Sequence, residues 1–102
     1  MATYNINFDE DGVLQVSFGD SAQGDEICRD VKKRLDEMVA AGELAGGEVI
    51  RINGPGSLPV ALVIAHVLAH RYQAVAWYVP MMKKYVVGIA HGDRHQVGDT
   101  LD

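Results

Sequence analysis

Four histidines in a chain of 102 residues are the side chains best suited to chemistry. His66 and His70 lie four positions apart, which places both on one face of a helix and is the separation used by paired metal ligands. His91 and His95 follow the last apolar run of the chain. Such a set can supply a divalent-metal site or a general acid and base. The structural alternative makes His66 a core or interface residue with a satisfied hydrogen bond and leaves His95 exposed to solvent.

A glycine-rich turn offers a second kind of chemistry, the binding of anions. The run Asn53-Gly54-Pro55-Gly56-Ser57 follows an apolar strand and precedes an apolar helix. The first N–H groups of a helix lack intrahelical partners and attract anions, and the glycines let a ligand approach the main chain. Ser57 is a natural N-cap, and Pro59 suits the first helical turn. Because the spacing matches neither the Walker loop nor the dinucleotide fingerprint, the turn equally fits a plain strand-to-helix connection.

Cations and aromatic rings lie close to both motifs in the sequence. Arg71 and Lys83 are available to an anionic ligand, and their alternative role is that of ordinary surface cations. Tyr72, Trp77 and Tyr78 could stack on nucleobases, although such side chains also serve in core packing.

Composition limits the class of protein and of partner. A chain of this length forms one domain, residues 1–102, and 48% apolar with 23% charged residues is globular composition. The formal net charge of −5 disfavours long nucleic acid but allows a compact anionic ligand. No apolar run reaches membrane-spanning length and no signal peptide is apparent, so we expect a cytoplasmic protein without a membrane partner. Cys28 cannot form an internal disulfide and is expected to pack as a small hydrophobe, with a reactive thiol as the alternative.

The elements that position these residues follow from hydrophobic periodicity. Alternation over 3–8 and 13–18 predicts a β-hairpin, and apolar residues spaced by three and four predict a helix capped by Asp25 and ending near Gly42. A strand over 49–52 then leads through the glycine turn into a second helix that runs to Tyr72. Strands over 74–79 and 84–90 and a polar tail complete the chain. The predicted fold is α/β, a mixed sheet in the order ββαβαββ with helices packed on it.

Strand, helix and strand in succession predict a right-handed parallel crossover, with the last strand folding back antiparallel. The second helix is apolar nearly all round, so most of its surface must be covered. A symmetry-related copy would cover the remaining side, which predicts a homodimer.

Half of the chain, Ile52 to Leu101, resembles the small CRISPR-associated ring nucleases of the third class (the Csx-three family), which are ancillary proteins of type III CRISPR systems. The matching segments are Ile52-Asn53-Gly54-Pro55-Gly56-Ser57-Leu58-Pro59, Ala69-His70-Arg71-Tyr72, Trp77-Tyr78-Val79-Pro80, Tyr85-Val86-Val87, His91 and Val97-Gly98-Asp99. The resemblance lies in this ensemble and in its spacing.

The resemblance implies a Rossmann-like fold related to the domains that sense cyclic oligoadenylate (CARF domains). It also implies a homodimer that stacks into tetramers around cyclic tetra-adenylate, and Mn²⁺-dependent cleavage of that ring to linear di-adenylate, which ends an antiviral signal. By position, the polar residue of the family's turn falls on Asn53 and its two histidines fall on His70 and His91, which become the catalytic and metal-binding candidates. Gly54, Gly56, Ser57, Arg71 and Lys83 are the ligand-binding candidates.

Two positions depart from the family pattern. Val79 stands where relatives usually have aspartate, and Met81 stands where they usually have a basic residue. A carboxylate can bind a metal or activate a 2′-hydroxyl, and valine can do neither. A binding module that senses or sequesters the ring without cleaving it is therefore the second hypothesis. A Mn²⁺-dependent RNA deadenylase and a small interaction domain are the further ones.

Overall fold

Six strands form one mixed sheet, against which two helices pack, in the computed structural model of the chain. The structure describes residues 2–102. The strands are β1 (Tyr4–Phe8), β2 (Leu14–Phe18), β3 (Gly47–Asn53), β4 (Tyr72–Val79), β5 (Lys84–Ala90) and β6 (Thr100–Leu101). The helices are α1 (Gly24–Ala40), between β2 and β3, and α2 (Leu58–Ala69), between β3 and β4.

The strands lie in the sheet in the order in which they occur in the chain. β1 and β2 form the expected antiparallel hairpin, β2, β3 and β4 are parallel, and β5 and β6 run antiparallel to their neighbours. The predicted α/β class with a mixed sheet is confirmed. The predicted order lacked β6, whose Thr100 and Leu101 pair with Val86 and Tyr85. Two paired residues are too few to show an alternating pattern in the sequence.

Several predicted boundaries were wrong. Helix α1 begins at Gly24 with Gln23 as its N-cap, so Asp25 lies inside the first turn, where its carboxylate contacts Arg29 at 3.3 Å. Helix α2 ends at Ala69 instead of reaching Tyr72, β3 begins at Gly47 instead of residue 49, and β4 begins at Tyr72 instead of residue 74. These three shifts have one cause: Tyr72 pairs with Gly47, so the parallel ladder begins two residues earlier in each strand than the apolar runs indicate.

Both helices lie on one face of the sheet, because the residues that they bury belong to a single apolar cluster with alternate residues of β1 to β4. The helix residues at its centre are Val31, Leu35, Met38, Val60, Ile64 and Leu68. Cys28 packs against this cluster half-buried, which confirms its prediction as a small hydrophobe. The opposite face carries a smaller cluster centred on Ala74, Ala76 and Val87.

One side of α2 is left open by the rest of residues 2–102. The side chains of Leu58 and Leu62 are 84% and 71% exposed, and they border an apolar groove of about 480 Å³ between α2 and the strands β4 and β5. The pairing of β4 with β5 shifts between Val75 and Ala76, which leaves Gly88 of β5 as an extra residue. Because of this bulge, Val86 and Ile89 both line the groove although they are three residues apart. In the part of the chain that the structure describes, no helix is both long and apolar enough to cross a bilayer.

Candidate functional site

The glycine turn is held to the sheet by its carbonyl groups. Trp77 Nε1 donates to the Gly54 carbonyl at 2.9 Å, and the Tyr4 hydroxyl donates to the Pro55 carbonyl at 2.5 Å. Burial raises the pKa of Tyr4 to about 12, so this hydroxyl remains a donor throughout the neutral range. Gly54 has φ +137°, and a Cβ there would lie 1.9 Å from the Val16 carbonyl oxygen of β2. No side chain can replace it without moving β2 from β3.

Three N–H groups at the end of the turn and the start of α2 are unpaired in the described part of the chain. Ser57 caps α2 as predicted, since its hydroxyl accepts from the Val60 N–H at 3.3 Å and its carbonyl accepts from the Ala61 N–H. Within residues 2–102, the N–H groups of Gly56, Ser57 and Leu58 find no acceptor, and all three residues are exposed. Free donors at the positive end of a helix are suited to an anion such as a phosphate.

Other candidate residues lie at the same end of the strands as the glycine turn, and we call this side of the sheet the turn end. Asn53 ends β3, and Lys83 lies in the turn that follows β4, with φ +54°. Because β3 and β4 are parallel, both residues and the glycine turn lie beyond the carboxyl ends of the strands. Val79 and the exposed Met81, the two departures from the family pattern, also lie at the turn end.

His70, Arg71 and His91 lie at the opposite ends of the strands, and we call this side of the sheet the histidine end. His70 follows α2, and His91 follows β5, which runs antiparallel to β4 and therefore ends beside its start. They line an open cavity of about 790 Å³ together with Glu48, Tyr72, Gln73 and Arg94. The structure thus brings the two predicted catalytic histidines to one cavity.

Backbone contacts set the shape of this cavity. The His91 N–H donates to the Gln73 carbonyl at 2.6 Å, which fixes the end of β5 to the start of β4. Arg71 Nε donates to the Leu44 carbonyl, which holds the side chain of this lining residue in place. At Gly46, φ is +93° and a Cβ would lie 2.7 Å from the Arg71 carbonyl oxygen. This close approach lets β3 start beside the end of α2.

Sequence reasoning missed Glu48 and Arg94. Glu48 Oε1 lies 3.5 Å from Arg94 Nη1 and 3.4 Å from His95 Nε2. The His95 side chain is only 17% exposed, so its prediction as a solvent-exposed histidine was wrong. With Arg71 and Arg94 opposed by a single described carboxylate, that of Glu48, the cavity lining carries a net positive charge that favours an anion. The signal available in the sequence was the basic Arg94-His95 pair three residues after His91.

Of the remaining candidates, Trp77 and Tyr78 pack against other side chains, whereas Tyr72 lies at a cavity and His66 at the surface. Trp77 packs against the core, and Tyr78 meets Tyr85 edge to face at a centroid distance of 5.0 Å. Tyr72 lines the histidine-end cavity. His66 is exposed rather than buried, and its Nε2 lies 3.2 Å from Nε2 of His70.

Manganese is the metal that the family resemblance implies, and it prefers several oxygen ligands. Among the described residues, Glu48 is the only carboxylate that lines the histidine-end cavity, and it already pairs with Arg94 and His95. Across residues 2–102, no three His, Cys, Asp or Glu side chains are grouped so that they could hold a metal ion. His70 and His91 therefore do not make a manganese site by themselves.

The two ends are separate surfaces of one chain. Helix α2, with 12 residues, lies between the glycine turn and His70, which amounts to about 18 Å at 1.5 Å per residue. The free N–H groups of the glycine turn and the histidines accordingly do not meet within one molecule. Comparison of the chain with family models, with curated proteins and with solved structures finds no match.

Proposed function

We propose that the protein binds cyclic tetra-adenylate and cleaves it to linear di-adenylate, as a cytoplasmic ring nuclease with a Rossmann-like fold related to CARF domains. The observation that carries the proposal is the histidine-end cavity, in which two imidazoles and two guanidinium groups converge with a net positive charge. This is the set of groups that phosphoryl transfer from an RNA 2′-hydroxyl requires: a base, an acid and cations beside the phosphate.

The atoms and protons of the reaction are accounted for by the ring and these side chains. The 2′-oxygen of one adenosine attacks the adjacent phosphorus while His70 or His91 accepts its proton. The 5′-oxygen of the next nucleotide leaves and takes a proton from the second imidazole. Two such cuts give linear di-adenylates that end in cyclic phosphates. Arg71 and Arg94 stabilise the charge that develops on the phosphoryl oxygens.

The separation of the two ends supports a site shared between molecules. A ring held by the turn end of one dimer would meet the histidine end of another dimer stacked upon it, so that each ring is sandwiched. Asn53 and Lys83 would then lie beside the amides of Gly56, Ser57 and Leu58 on the binding side. A contact of this kind joins unlike surfaces, so the two halves of the site, which lie apart on one chain, would meet only between molecules.

Dependence on Mn²⁺ remains a prediction that comes from the family resemblance. Two imidazoles and an engaged carboxylate offer a hard cation few oxygen ligands. The metal would draw most of its ligands from the phosphates of the ring and from water. Cleavage assays with and without Mn²⁺ test this dependence.

Leu58→Pro tests the turn end with a matched control. The backbone N–H of Leu58 has no acceptor within residues 2–102, and proline suits the first position of a helix. The change therefore removes one donor without removing a native hydrogen bond. Leu58→Ala truncates the same exposed side chain and keeps the donor. A hydrogen bond to a charged group contributes about 1.5–3 kcal/mol. We expect Leu58→Pro to bind cyclic tetra-adenylate roughly 10- to 100-fold more weakly than Leu58→Ala in calorimetry.

The products distinguish the candidate functions. Linear di-adenylate from labelled ring supports cleavage, whereas tight binding without turnover supports the sensing or sequestering module. Val79 and Met81 at the turn end favour that second candidate, because neither can supply the acid or the cation that relatives carry there. Shortening of 3′-oligoadenylated RNA would indicate a deadenylase. If neither nucleotide binds, the small interaction domain is left.

The homodimer is proposed to form on the open side of α2. Leu62 is 71% exposed beside an apolar groove lined by Trp77, Val86 and Ile89, a surface that a second copy would bury. We expect Leu62→Glu to yield monomers in light scattering where the unmodified protein gives dimers. Lys33→Glu, exposed on the part of α1 that lies beside Tyr4 rather than beside Leu62, should leave the mass unchanged. A dimer that survives Leu62→Glu would place the interface elsewhere.

A further inference from the structure

His66 and His70 are arranged as two ligands of one metal ion. His66 lies in the last turn of α2 and His70 is its C-cap, both are exposed, and their Nε2 atoms are 3.2 Å apart with the ring planes inclined at 66°. Two nitrogens bound to one zinc ion at 2.0–2.1 Å with tetrahedral angles lie about 3.4 Å apart. The rings already approach that separation, so little rearrangement is needed to bind.

We propose that this pair, named the helix pair, chelates a borderline divalent ion such as Zn²⁺, Ni²⁺ or Cu²⁺ through both Nε2 atoms. Imidazole suits these ions, whereas Mn²⁺ and Mg²⁺ prefer oxygen. Without a metal, one ring donates a hydrogen bond to the other, and with a metal both nitrogen lone pairs point to the ion. The proposal requires no ring nucleotide, although it shares His70 with the proposed function.

The surroundings of the helix pair set its coordination. A groove of about 250 Å³ between α1 and α2 contains both histidines together with Asp36 and Arg71. The Asp36 carboxylate is held by Lys32 Nζ at 2.6 and 2.8 Å, so the chain supplies two ligands and water completes the shell. Two ligands give a chelate weaker than a structural zinc site. We therefore expect micromolar rather than nanomolar affinity.

Calorimetry with Zn²⁺ in a non-chelating buffer tests the proposal, because each variant isolates one ligand. We expect His66→Ala and His70→Ala each to lower the affinity for Zn²⁺ at least tenfold, and His91→Ala to leave it unchanged. The melting temperature of the unmodified protein should rise with the concentration of Zn²⁺, and that rise should vanish in His66→Ala. Mn²⁺ at equal concentration should shift it far less.

Two results would overturn the proposal. Unmodified protein that releases no binding heat with Zn²⁺ would exclude the helix pair as a chelate. Loss of binding in His70→Ala and His91→Ala, with His66→Ala unaffected, would assign the metal to the histidine-end cavity instead. Neither result depends on whether cyclic tetra-adenylate binds, so failure of the chelate is distinguishable from failure of the ring-nuclease proposal.

Discussion

His91→Ala should lower the turnover of cyclic tetra-adenylate by roughly 100-fold or more while changing its dissociation constant little, because a positioned acid or base contributes about 10²–10⁴ to rate. His91 is exposed, and its fixed contact is made by its backbone N–H with Gln73. The fold should therefore survive the loss of its imidazole. His70→Ala should behave alike. Single-turnover cleavage and calorimetry measure the two quantities separately.

Mixing variants shows whether the cleaving site is shared between molecules. His91→Ala keeps an intact turn end, and Leu58→Pro keeps an intact histidine end. At ring concentrations too low for Leu58→Pro to bind well, each variant alone should cleave slowly. If subunits mix at random, about a quarter of the shared sites combine two intact ends, so the mixture should regain activity. A mixture no faster than the sum of its parts would contradict the sandwich, and normal turnover in His91→Ala would remove His91 from the mechanism.

Gly54→Ala is expected to destabilise the fold severely. The added methyl group would lie 1.9 Å from the Val16 carbonyl oxygen, and φ +137° is a conformation that alanine rarely adopts. Strain and overpacking together cost about 3–5 kcal/mol, a large part of the stability of a small domain. The melting temperature should fall by roughly 15–30 °C, or the variant should not fold.

Gly12→Ala is the matched control for that change. Gly12 has φ +80° in the turn between β1 and β2, and a Cβ there would meet nothing within 4 Å. The variant therefore carries the backbone cost alone, about 1–2 kcal/mol. Equal melting temperatures for the two variants would show that the contact between Gly54 and β2 is not as close as the structure has it.

Local patterns in the sequence predict much of this fold. The alternation that defines the β1–β2 hairpin, the Ser57 cap and the end of α1 beside Gly42 each depend on residues adjacent in the chain. Gly42 adopts φ +78° just after α1, as a helix-ending glycine does. Such features are set by backbone sterics and capping, which a short window of sequence displays.

Contacts between distant residues are what the sequence does not display. The approach of Glu48 to Arg94 joins residues far apart in the chain, and no periodicity marks it. The separation of the histidines from the glycine turn is predictable in principle, because His70 ends the helix that Ser57 begins. A resemblance in the order of motifs does not imply that they meet in one molecule.

The hydrogen bond from Trp77 to the Gly54 carbonyl has a practical consequence. Trp77 is the only tryptophan of the chain, and its indole is hydrogen-bonded to the Gly54 carbonyl. The amides proposed to hold phosphate begin two residues further on, at Gly56. The protein thus carries a built-in fluorophore at the turn end. We expect its emission wavelength to change when a ligand occupies that loop, so that titrations could follow occupancy optically in the native chain without any label.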